Sequence, residues 1–225
     1  MQKVNYQKML EGIIKKHEEK GEVPALLLHS CCAPCSSYVL EYLSQYFKIT
    51  VFYYNPNIYP REEYDKRVAE LQRLIAQMPM KNPVTFVERG YDEGEFFQAV
   101  KGFEDIREGG ERCFRCYRLR LERTAQLARE LGADYFTTTL SISPYKNAQK
   151  LNEISEELGE IYDVKALPAD FKKREGYKRS VQLSAEYGLY RQDYCGCIFS
   201  KRERERLDTI TTKSCLLYTS DAADD

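Results

Sequence analysis

Apolar and polar stretches alternate along the chain in two periods. The segments "PALLLH", "KITVFYYN", "PVTFVE" and "ADYFTTTL" are short runs of apolar, β-branched and aromatic residues, which are typical of buried strands. Between them, "REEYDKRVAELQRLIAQM" and "ERCFRCYRLRLERTAQLARELG" carry apolar residues at helical spacing, and Gly132 is placed to end the second helix. "IYDVKALP" predicts a fifth strand.

Strands that alternate with helices form a parallel sheet with right-handed crossovers. We therefore expect an α/β fold, with a Rossmann-like doubly wound parallel sheet over residues 1–169. Residues 170–214 are rich in Tyr, Lys and Arg and predict a C-terminal helical cap that bears its own cysteines. The final segment, "CLLYTSDAADD", does not continue the preceding basic pattern and resembles a translated sequencing-library adapter, so residues 215–225 are expected to be non-native.

Composition narrows the class of protein. A hydrophobic content of 43% and a charged content of 31% fit a soluble globular domain. No apolar run approaches the roughly 20 residues that span a bilayer, and the charged, amphipathic N-terminus is unlike a signal peptide. We expect a cytoplasmic protein with no membrane partner. The net charge of −1 argues neither for nor against a nucleic-acid partner, which needs only a local basic patch.

Cysteine provides the main chemical signal. In a reducing compartment, eight cysteines favour metal binding or redox chemistry over structural disulfides. A role as small buried hydrophobes is the alternative, but clustering in turns and at helix starts argues against it. Without Cys215, the cysteines form three groups: Cys31 and Cys32 with Cys35, Cys113 with Cys116, and Cys195 with Cys197.

The first group lies in a strand-to-helix turn, with Ser36 or Ser37 as the expected N-cap of the helix. Ligands of open α/β sheets bind at the carboxyl ends of strands. Adjacent side chains diverge along the backbone, so Cys31 and Cys32 are expected to bind two irons of a larger cluster rather than one zinc ion.

A [4Fe–4S] cluster takes four thiolates, and two of the cysteine groups supply that number. In a doubly wound sheet, strands one and four flank the switch point, so the loops after them open onto one crevice. The four cysteines are Cys31 and Cys32, which follow the first strand, and Cys113 and Cys116, which precede the fourth.

The third group has two interpretations. A disulfide between Cys195 and Cys197 closes a very small ring around the flexible Gly196, which suits a redox-active pair. Alternatively, the two thiolates bind a second metal together with Asp193. Cys35 belongs to neither set. Three roles remain open for it: a packed thiol, a thiolate of lowered pKa, or a ligand of that second metal.

Five motifs resemble one known family. They are "LLLHSCCAPCSS", "YYNPNIYPREEYDKR", "RCFRCYRLRLERTA", "YFTTTLSISPYKN" and "YRQDYCGCIFS", collinear over about residues 24–203. The chain resembles the cobalamin-independent epoxyqueuosine reductases (QueH), which reduce epoxyqueuosine to queuosine at the tRNA wobble position and carry a [4Fe–4S] cluster. The resemblance implies cluster ligands and a redox-active pair at the cysteines assigned above, and it leaves room for a second, mononuclear metal.

The reaction and the sequence constrain the partners. Removing an epoxide oxygen to leave an alkene takes two electrons and two protons. No Gly-rich dinucleotide fingerprint or flavin motif follows the first strand, so the electrons are expected from a partner such as ferredoxin or flavodoxin. The substrate is expected to be tRNA carrying epoxyqueuosine.

Polar loops after strands two and four are candidates for binding the modified base, the second metal or both. Ordinary turn chemistry explains the same residues equally well. The basic, Tyr-rich cap is suited to RNA phosphates and unpaired bases, or is a solvated surface. The loop candidates are Asn55, Asn57, Ser141 and Lys146, beside Cys35 and Asp193.

Three rival functions remain. Iron–sulfur sulfonucleotide reductases and tRNA thiolases share such cysteine patterns, but both need a phosphate-binding loop where this chain places Cys31 and Cys32. A zinc-binding RNA module is the non-enzymatic alternative, and it would be colourless.

Overall fold

The computed structural model describes residues 4–207, which contain five strands and a series of helices. The strands are β1 (Ala25–His29), β2 (Lys48–Tyr53), β3 (Val84–Glu88), β4 (Tyr135–Thr138) and β5 (Lys165–Ala166). The helices are α1 (Tyr6–Lys20), α2 (Ala33–Leu43), α3 (Arg61–Gln77), α4 (Glu93–Ala99), α5 (Glu111–Leu131), α6 (Ala148–Tyr162) and α7 (Gly176–Glu186). Residues 198–207 are also helical.

The five strands form one parallel sheet in the order β3-β2-β1-β4-β5. The central strand β1 pairs with β2 on one side and with β4 on the other, and His29 lies opposite Thr138. The chain therefore reverses its winding direction between β1 and β4, which is the switch point of a Rossmann-like sheet. The predicted fold class is confirmed.

Helices cover both faces of the sheet because β1 is apolar on both. Leu26 and Leu28 belong to a core cluster with residues of α1, α2, α3 and α7. Leu27 points the other way, into a second cluster with residues of α5 and α6. A continuous apolar strand is what burial on two faces requires.

Two helix boundaries follow from local sequence, and the one predicted at Gly132 is confirmed. The long helix α5 ends at Gly132, which adopts a left-handed conformation and donates its N–H to the carbonyl of Ala128. Asp92 caps α4 by accepting a hydrogen bond from the N–H of Gly94.

One local prediction is wrong, and another differs in length. The helix α2 starts at Ala33 with Cys32 as its N-cap, and the hydroxyls of Ser36 and Ser37 instead donate to backbone carbonyls of the preceding turn. Pro34 explains the earlier start, because its fixed φ suits the first helical turn. The fifth strand is present where it was predicted but is only two residues long, because α6 continues through the first two residues of the expected segment, to Tyr162.

The C-terminal segment is helical and packs onto the sheet domain. Phe171, Leu183 and Leu189 belong to the same core cluster as α2. Arg112, at the start of α5, donates from Nη2 to Glu203 Oε1 across 2.7 Å. The expected adapter-like segment, with Cys215, lies outside the described residues. Among residues 4–207, no helix is both long and apolar enough to cross a membrane.

Candidate metal and redox centre

Cys31, Cys32 and Cys35 form a tight cluster of sulfurs at the carboxyl end of β1. Their Sγ atoms all lie within 4.8 Å of one another, and those of Cys31 and Cys32 are 3.8 Å apart. The expectation that the adjacent side chains diverge is therefore wrong. Cys32 is extended as the N-cap of α2, and the chain turns sharply into the helix behind it. That turn also brings Cys35, which sequence reasoning left without a partner, into the group.

The three thiols differ in acidity, and Cys31 is the most acidic of them. Hydrogen bonds from Cys32 and Cys35 hold the pKa of Cys31 well below the usual range for a thiol. The same two bonds raise the pKa of the donors, Cys32 and Cys35, because each must keep its proton to donate it. A metal ion bound here would take the place of the protons that Cys32 and Cys35 share with Cys31.

Cys113 and Cys116 lie in the first two turns of α5, where both are buried. The Sγ atom of Cys113 accepts a hydrogen bond from the N–H of Gly109 across 3.3 Å. Burial raises the pKa of Cys113, and it raises the pKa of Cys116 to about 11. Both helices that carry these two cysteine groups, α2 and α5, direct their N-termini toward the sulfurs, where partial positive charge favours thiolates.

Cys195 and Cys197 lie on either side of a tight turn. Gly196 between them has φ +112°, a backbone conformation that side chains other than hydrogen rarely allow. Its carbonyl accepts from the N–H of Tyr59, and a Cβ atom here would lie 2.9 Å from Nη1 of Arg67. Both cysteines are free thiols.

Lys146 reaches the CxC turn from the loop before α6. Its Nζ atom donates to Cys195 Sγ and to Glu108 Oε1, each across 3.0 Å. Burial alone would lower the pKa of Lys146, but the negative charges of Cys195 and Glu108 and the nearby Tyr117 raise it well above its usual value. Lys146 therefore stays positively charged although it is buried.

The three cysteine groups open onto two adjoining cavities. The outer one, of about 340 Å³, is lined by Cys31, Cys32, Cys35 and Cys195. The inner one is lined by Cys113, Cys116, Cys195 and Cys197. The residues that line both cavities are Cys195, Arg120 and Lys146. The loops after β1 and β4 and the start of α5 thus converge as expected.

The charges around these cavities fit an anionic metal–thiolate group. Arg120 is 2% exposed, and its hydrogen bonds go to the carbonyl of Cys116 and to Asn55 Oδ1. Its Nη2 atom has no partner, and within residues 4–207 it makes no ion pair with a carboxylate. Arg67, which lines the outer cavity and pairs through Nε with Glu63 at 2.7 Å, also has a buried Nη2 atom with no partner. A buried cation without a counterion is costly, so cysteine thiolates with a bound metal are the group that Arg120 fits.

The remaining predicted residues fall into two sets. Asn55 and Ser141 are buried and take part in structural bonds: Asn55 donates to the carbonyl of Ser30, and Ser141 accepts from the N–H of Phe171. Asn57 lines the inner cavity with its Oδ1 atom unpaired. Asp193 lines the outer cavity, and one of its oxygens lies 3.6 Å from Nε of Arg204.

His29, the last residue of β1, is fully buried beside β4. Its Nδ1 atom accepts from the hydroxyl of Thr138, and its Nε2 atom donates to the carbonyl of Tyr54. Burial, with the charge of Arg120, lowers its pKa to about 4. His29 therefore links the carboxyl ends of β1, β2 and β4 next to the cysteines.

Sequence reasoning missed four polar or charged residues of the site. Arg67 and Arg120 read as members of amphipathic helices, Glu108 had no motif around it, and Ser200 ends the fifth motif but was given no role. Only the folded chain brings these four residues next to the cysteines.

Comparisons with known proteins identify the family. A sequence model described as "Epoxyqueuosine reductase QueH" matches residues 26–203. The chain belongs to the epoxyqueuosine reductase QueH family. Relatives with that name include one from Streptococcus pyogenes serotype M1, 43% identical over 94% of this chain and 84% of its own length. Another, from Staphylococcus epidermidis, is 44% identical over 88% of this chain and 85% of its own length. The QueH protein of Thermotoga maritima is 40% identical over 80% of this chain and 91% of its own length.

Proposed function

We propose that this protein is an epoxyqueuosine reductase, which converts epoxyqueuosine to queuosine at the wobble position of tRNA. The observation that carries the proposal is the convergence of three cysteine groups on two joined cavities at the switch point. Membership of the QueH family supports the same reaction. The first turn after β1 holds thiols, whereas a sulfonucleotide reductase or a tRNA thiolase needs a phosphate-binding loop at that place.

The proposed cofactor is a [4Fe–4S] cluster, which would supply electrons at low potential. A four-iron cluster is larger than a single ion, so it suits ligands from two walls of the crevice. Arg120 lies between those walls and offsets the negative charge of the thiolates. The ligands we assign are Cys31, Cys32, Cys113 and Cys116.

Cys35 is the proposed ligand of a second, mononuclear metal. Its Sγ atom lies within 4.8 Å of two of the assigned cluster ligands, a spacing that allows sulfurs to be shared between neighbouring metals. Asp193 lines the same cavity and offers a carboxylate oxygen to such an ion.

The pair Cys195 and Cys197 is the proposed two-electron store. Oxidation of the dithiol forms one S–S bond and releases two electrons, which match the two that the epoxide takes up. The epoxide also takes up two protons, and its oxygen leaves as water. A low-potential protein such as ferredoxin or flavodoxin would then return two electrons to the pair.

The mouth of the outer cavity is the proposed binding site for the wobble nucleotide. Tyr145 lies on this rim with 79% of its surface exposed, and Tyr177 lines the same cavity. Arg191 stacks over Tyr177 at 5.7 Å. Exposed aromatic rings next to guanidinium groups suit unstacked RNA bases. For a reaction on tRNA we expect a cytoplasmic protein, because that substrate occurs there.

The test is an anaerobic turnover assay. The protein is purified without residues 215–225, its iron and sulfide are measured, and it is incubated with tRNA carrying epoxyqueuosine and a low-potential reductant. The nucleosides are then weighed by mass spectrometry. We expect the modified nucleoside to lose the mass of one oxygen, and we expect Cys113→Ala and Cys195→Ala each to abolish that loss.

Other results would point elsewhere. A coloured, iron-containing protein that leaves the nucleoside unchanged would refute the reductase proposal, and sulfonucleotide reduction would be assayed next. A colourless protein that retains zinc would instead support an RNA-binding zinc module.

A further inference from the structure

One face of α5 carries both of its cysteines and two large polar side chains. Cys116, Tyr117 and Arg120 lie three, four and seven positions after Cys113, and this spacing places all four residues on one side of the helix. All four are buried, and all four line the inner cavity. The helix face that bears two of the assigned metal ligands therefore also bears a phenol and a guanidinium.

Tyr117 lies between the two walls of the crevice. Its ring belongs to a core cluster that includes Cys113, and Cys31 packs against the same cluster from the other wall. Burial raises the pKa of Tyr117, and the positive charge of Lys146 acts in the opposite direction. Lys146 lines the inner cavity as well, so the hydroxyl end of the ring lies toward that cavity.

The hydroxyl of Tyr117 has no hydrogen-bond partner within the described part of the chain. The side chain is 1% exposed, so bulk solvent does not reach it. A buried hydroxyl that stays unpaired costs free energy, and buried tyrosine hydroxyls usually have a partner. The hydroxyl is therefore placed to donate to a group bound in the cavity beside it.

We propose that the Tyr117 hydroxyl donates a hydrogen bond to a sulfur of the metal cluster bound in this crevice and thereby raises the reduction potential of that cluster. This deepens the proposed function, since it rests on the iron–sulfur cofactor assigned there. Hydrogen bonds to the sulfurs are among the factors that set the potential of such clusters. Arg120, whose Nη2 atom also has no partner, is a second donor on the same helix face.

The direction of the effect follows from the charge of the cluster. Reduction adds one electron, and the added negative charge is shared with the sulfurs. A hydrogen bond strengthens when its acceptor carries more negative charge, so the bond stabilises the reduced state more than the oxidised state. Its loss must therefore lower the potential. The phenol keeps its proton throughout, so no titration of Tyr117 is involved.

The experiment measures the potential of the cluster in the protein purified anaerobically with its metal in place. Iron and sulfide per chain are determined first, and a redox titration with mediators is then followed by electron paramagnetic resonance of the reduced cluster. Tyr117→Phe removes the hydroxyl and keeps the ring. Tyr53→Phe is the matched control, because Tyr53 is fully buried on β2 with an unpaired hydroxyl but lines neither cavity.

We expect Tyr117→Phe to retain its iron and to be about tenfold harder to reduce, which is about 59 mV more negative for a one-electron couple. Tyr53→Phe should keep the potential of the unaltered protein. Resonance Raman spectroscopy gives a second readout, because exchangeable hydrogens bonded to sulfur make the iron–sulfur stretching frequencies sensitive to D₂O. That sensitivity should be smaller in Tyr117→Phe than in either other protein.

Three outcomes would overturn the proposal. An unchanged potential in iron-replete Tyr117→Phe would mean that the hydroxyl does not bond the cluster. Equal shifts in Tyr117→Phe and Tyr53→Phe would mean that the effect does not come from the cavity. Loss of the cluster from a folded Tyr117→Phe protein would assign the residue to metal retention, because a single hydrogen bond does not hold a cluster that has four thiolate ligands.

These results are separable from a failure of the proposed function. An unaltered protein without iron and sulfide would contradict the proposed cofactor and this inference together. An unchanged potential in a cluster-containing Tyr117→Phe protein would contradict this inference alone. Neither readout uses tRNA, so a shifted potential in a protein that leaves epoxyqueuosine unchanged would contradict the proposed substrate and not the role of Tyr117.

Discussion

The side chain of Asn55 is held between two partners: it donates to the carbonyl of Ser30 across 2.8 Å and accepts from Arg120 Nη1 across 3.4 Å. It is 1% exposed. Asn55 thus joins the ends of β1 and β2 to the buried guanidinium, and of the two roles considered for it, the bonds favour the structural one.

Replacing Asn55 tests that assignment. We expect Asn55→Ala to lower the free energy of unfolding by about 1–3 kcal/mol, because the buried Ser30 carbonyl and the Arg120 guanidinium each lose a partner. Urea unfolding monitored by circular dichroism measures the change. An unchanged unfolding midpoint together with a raised KM for tRNA would instead assign Asn55 to substrate binding.

Arg120 is expected to be needed for metal retention. Replacing it by Met keeps much of its volume but removes the positive charge that lines both cavities, and loss of a residue supporting metal ligands typically weakens metal binding by about 10–100-fold. Iron and sulfide per chain, and the visible spectrum after challenge with a chelator, provide the measurement.

Arg118→Met is the matched control for Arg120→Met. Arg118 is on the same helix, but it faces solvent and pairs with Glu157. Equal iron in both variants would mean that the charge of Arg120 does not support the metal site.

Tyr145 is expected to act on substrate binding alone. Base stacking on an aromatic ring contributes about 1–3 kcal/mol, so Tyr145→Ala should raise the KM for tRNA with little change in kcat. Tyr145→Phe keeps the ring and should behave as the unaltered protein. A Tyr145→Ala protein with unaltered KM, in preparations that reduce epoxyqueuosine normally, would remove this residue from the RNA-binding surface.

Gly196 is expected to be irreplaceable in the CxC turn. Alanine there must adopt a φ of +112° and place its Cβ atom 3.2 Å from Cγ1 of Ile58 and still closer to Arg67. Overpacking of this kind costs about 1–3 kcal/mol, and the turn should shift. We expect Gly196→Ala to slow disulfide formation and turnover.

The control for the Gly196 experiment is Gly12→Ala. Gly12 lies in α1 with no atom within 4 Å of a Cβ at that position, so the change should stabilise the helix by about 0.5–1 kcal/mol. Normal reoxidation of the pair in Gly196→Ala would show that the turn tolerates a side chain.

The parts of the molecule that the sequence predicted depend on local patterns. The run Leu26–Leu28 and the periodicity of α5 are contained in short segments, so the strands, the helix and their order were predictable. The fifth strand is shorter than predicted because helical and extended patterns compete within a few residues around Tyr162, and packing decides between them.

The site was predictable only in its cysteines. Their clustering is visible in the sequence, but the approach of Cys31 to Cys32 depends on backbone angles at one helix start. The Lys146 contacts join residues that are 38 and 49 positions apart. No local pattern marks Glu108 or Ser200 as their partners, so tertiary structure alone reveals this network.

The net charge of the whole chain is near zero, but its positively charged residues have different roles. Arg67, Arg120 and Lys146 are all less than a tenth exposed. Their positive charges act mainly on the nearby sulfurs. In physiological salt, ionic screening limits their attraction for a distant anion to about 8 Å. The reactive centre therefore does little long-range electrostatic steering. Encounter with RNA depends on the exposed rim, and the centre acts on a nucleotide only after that nucleotide has been delivered into the crevice.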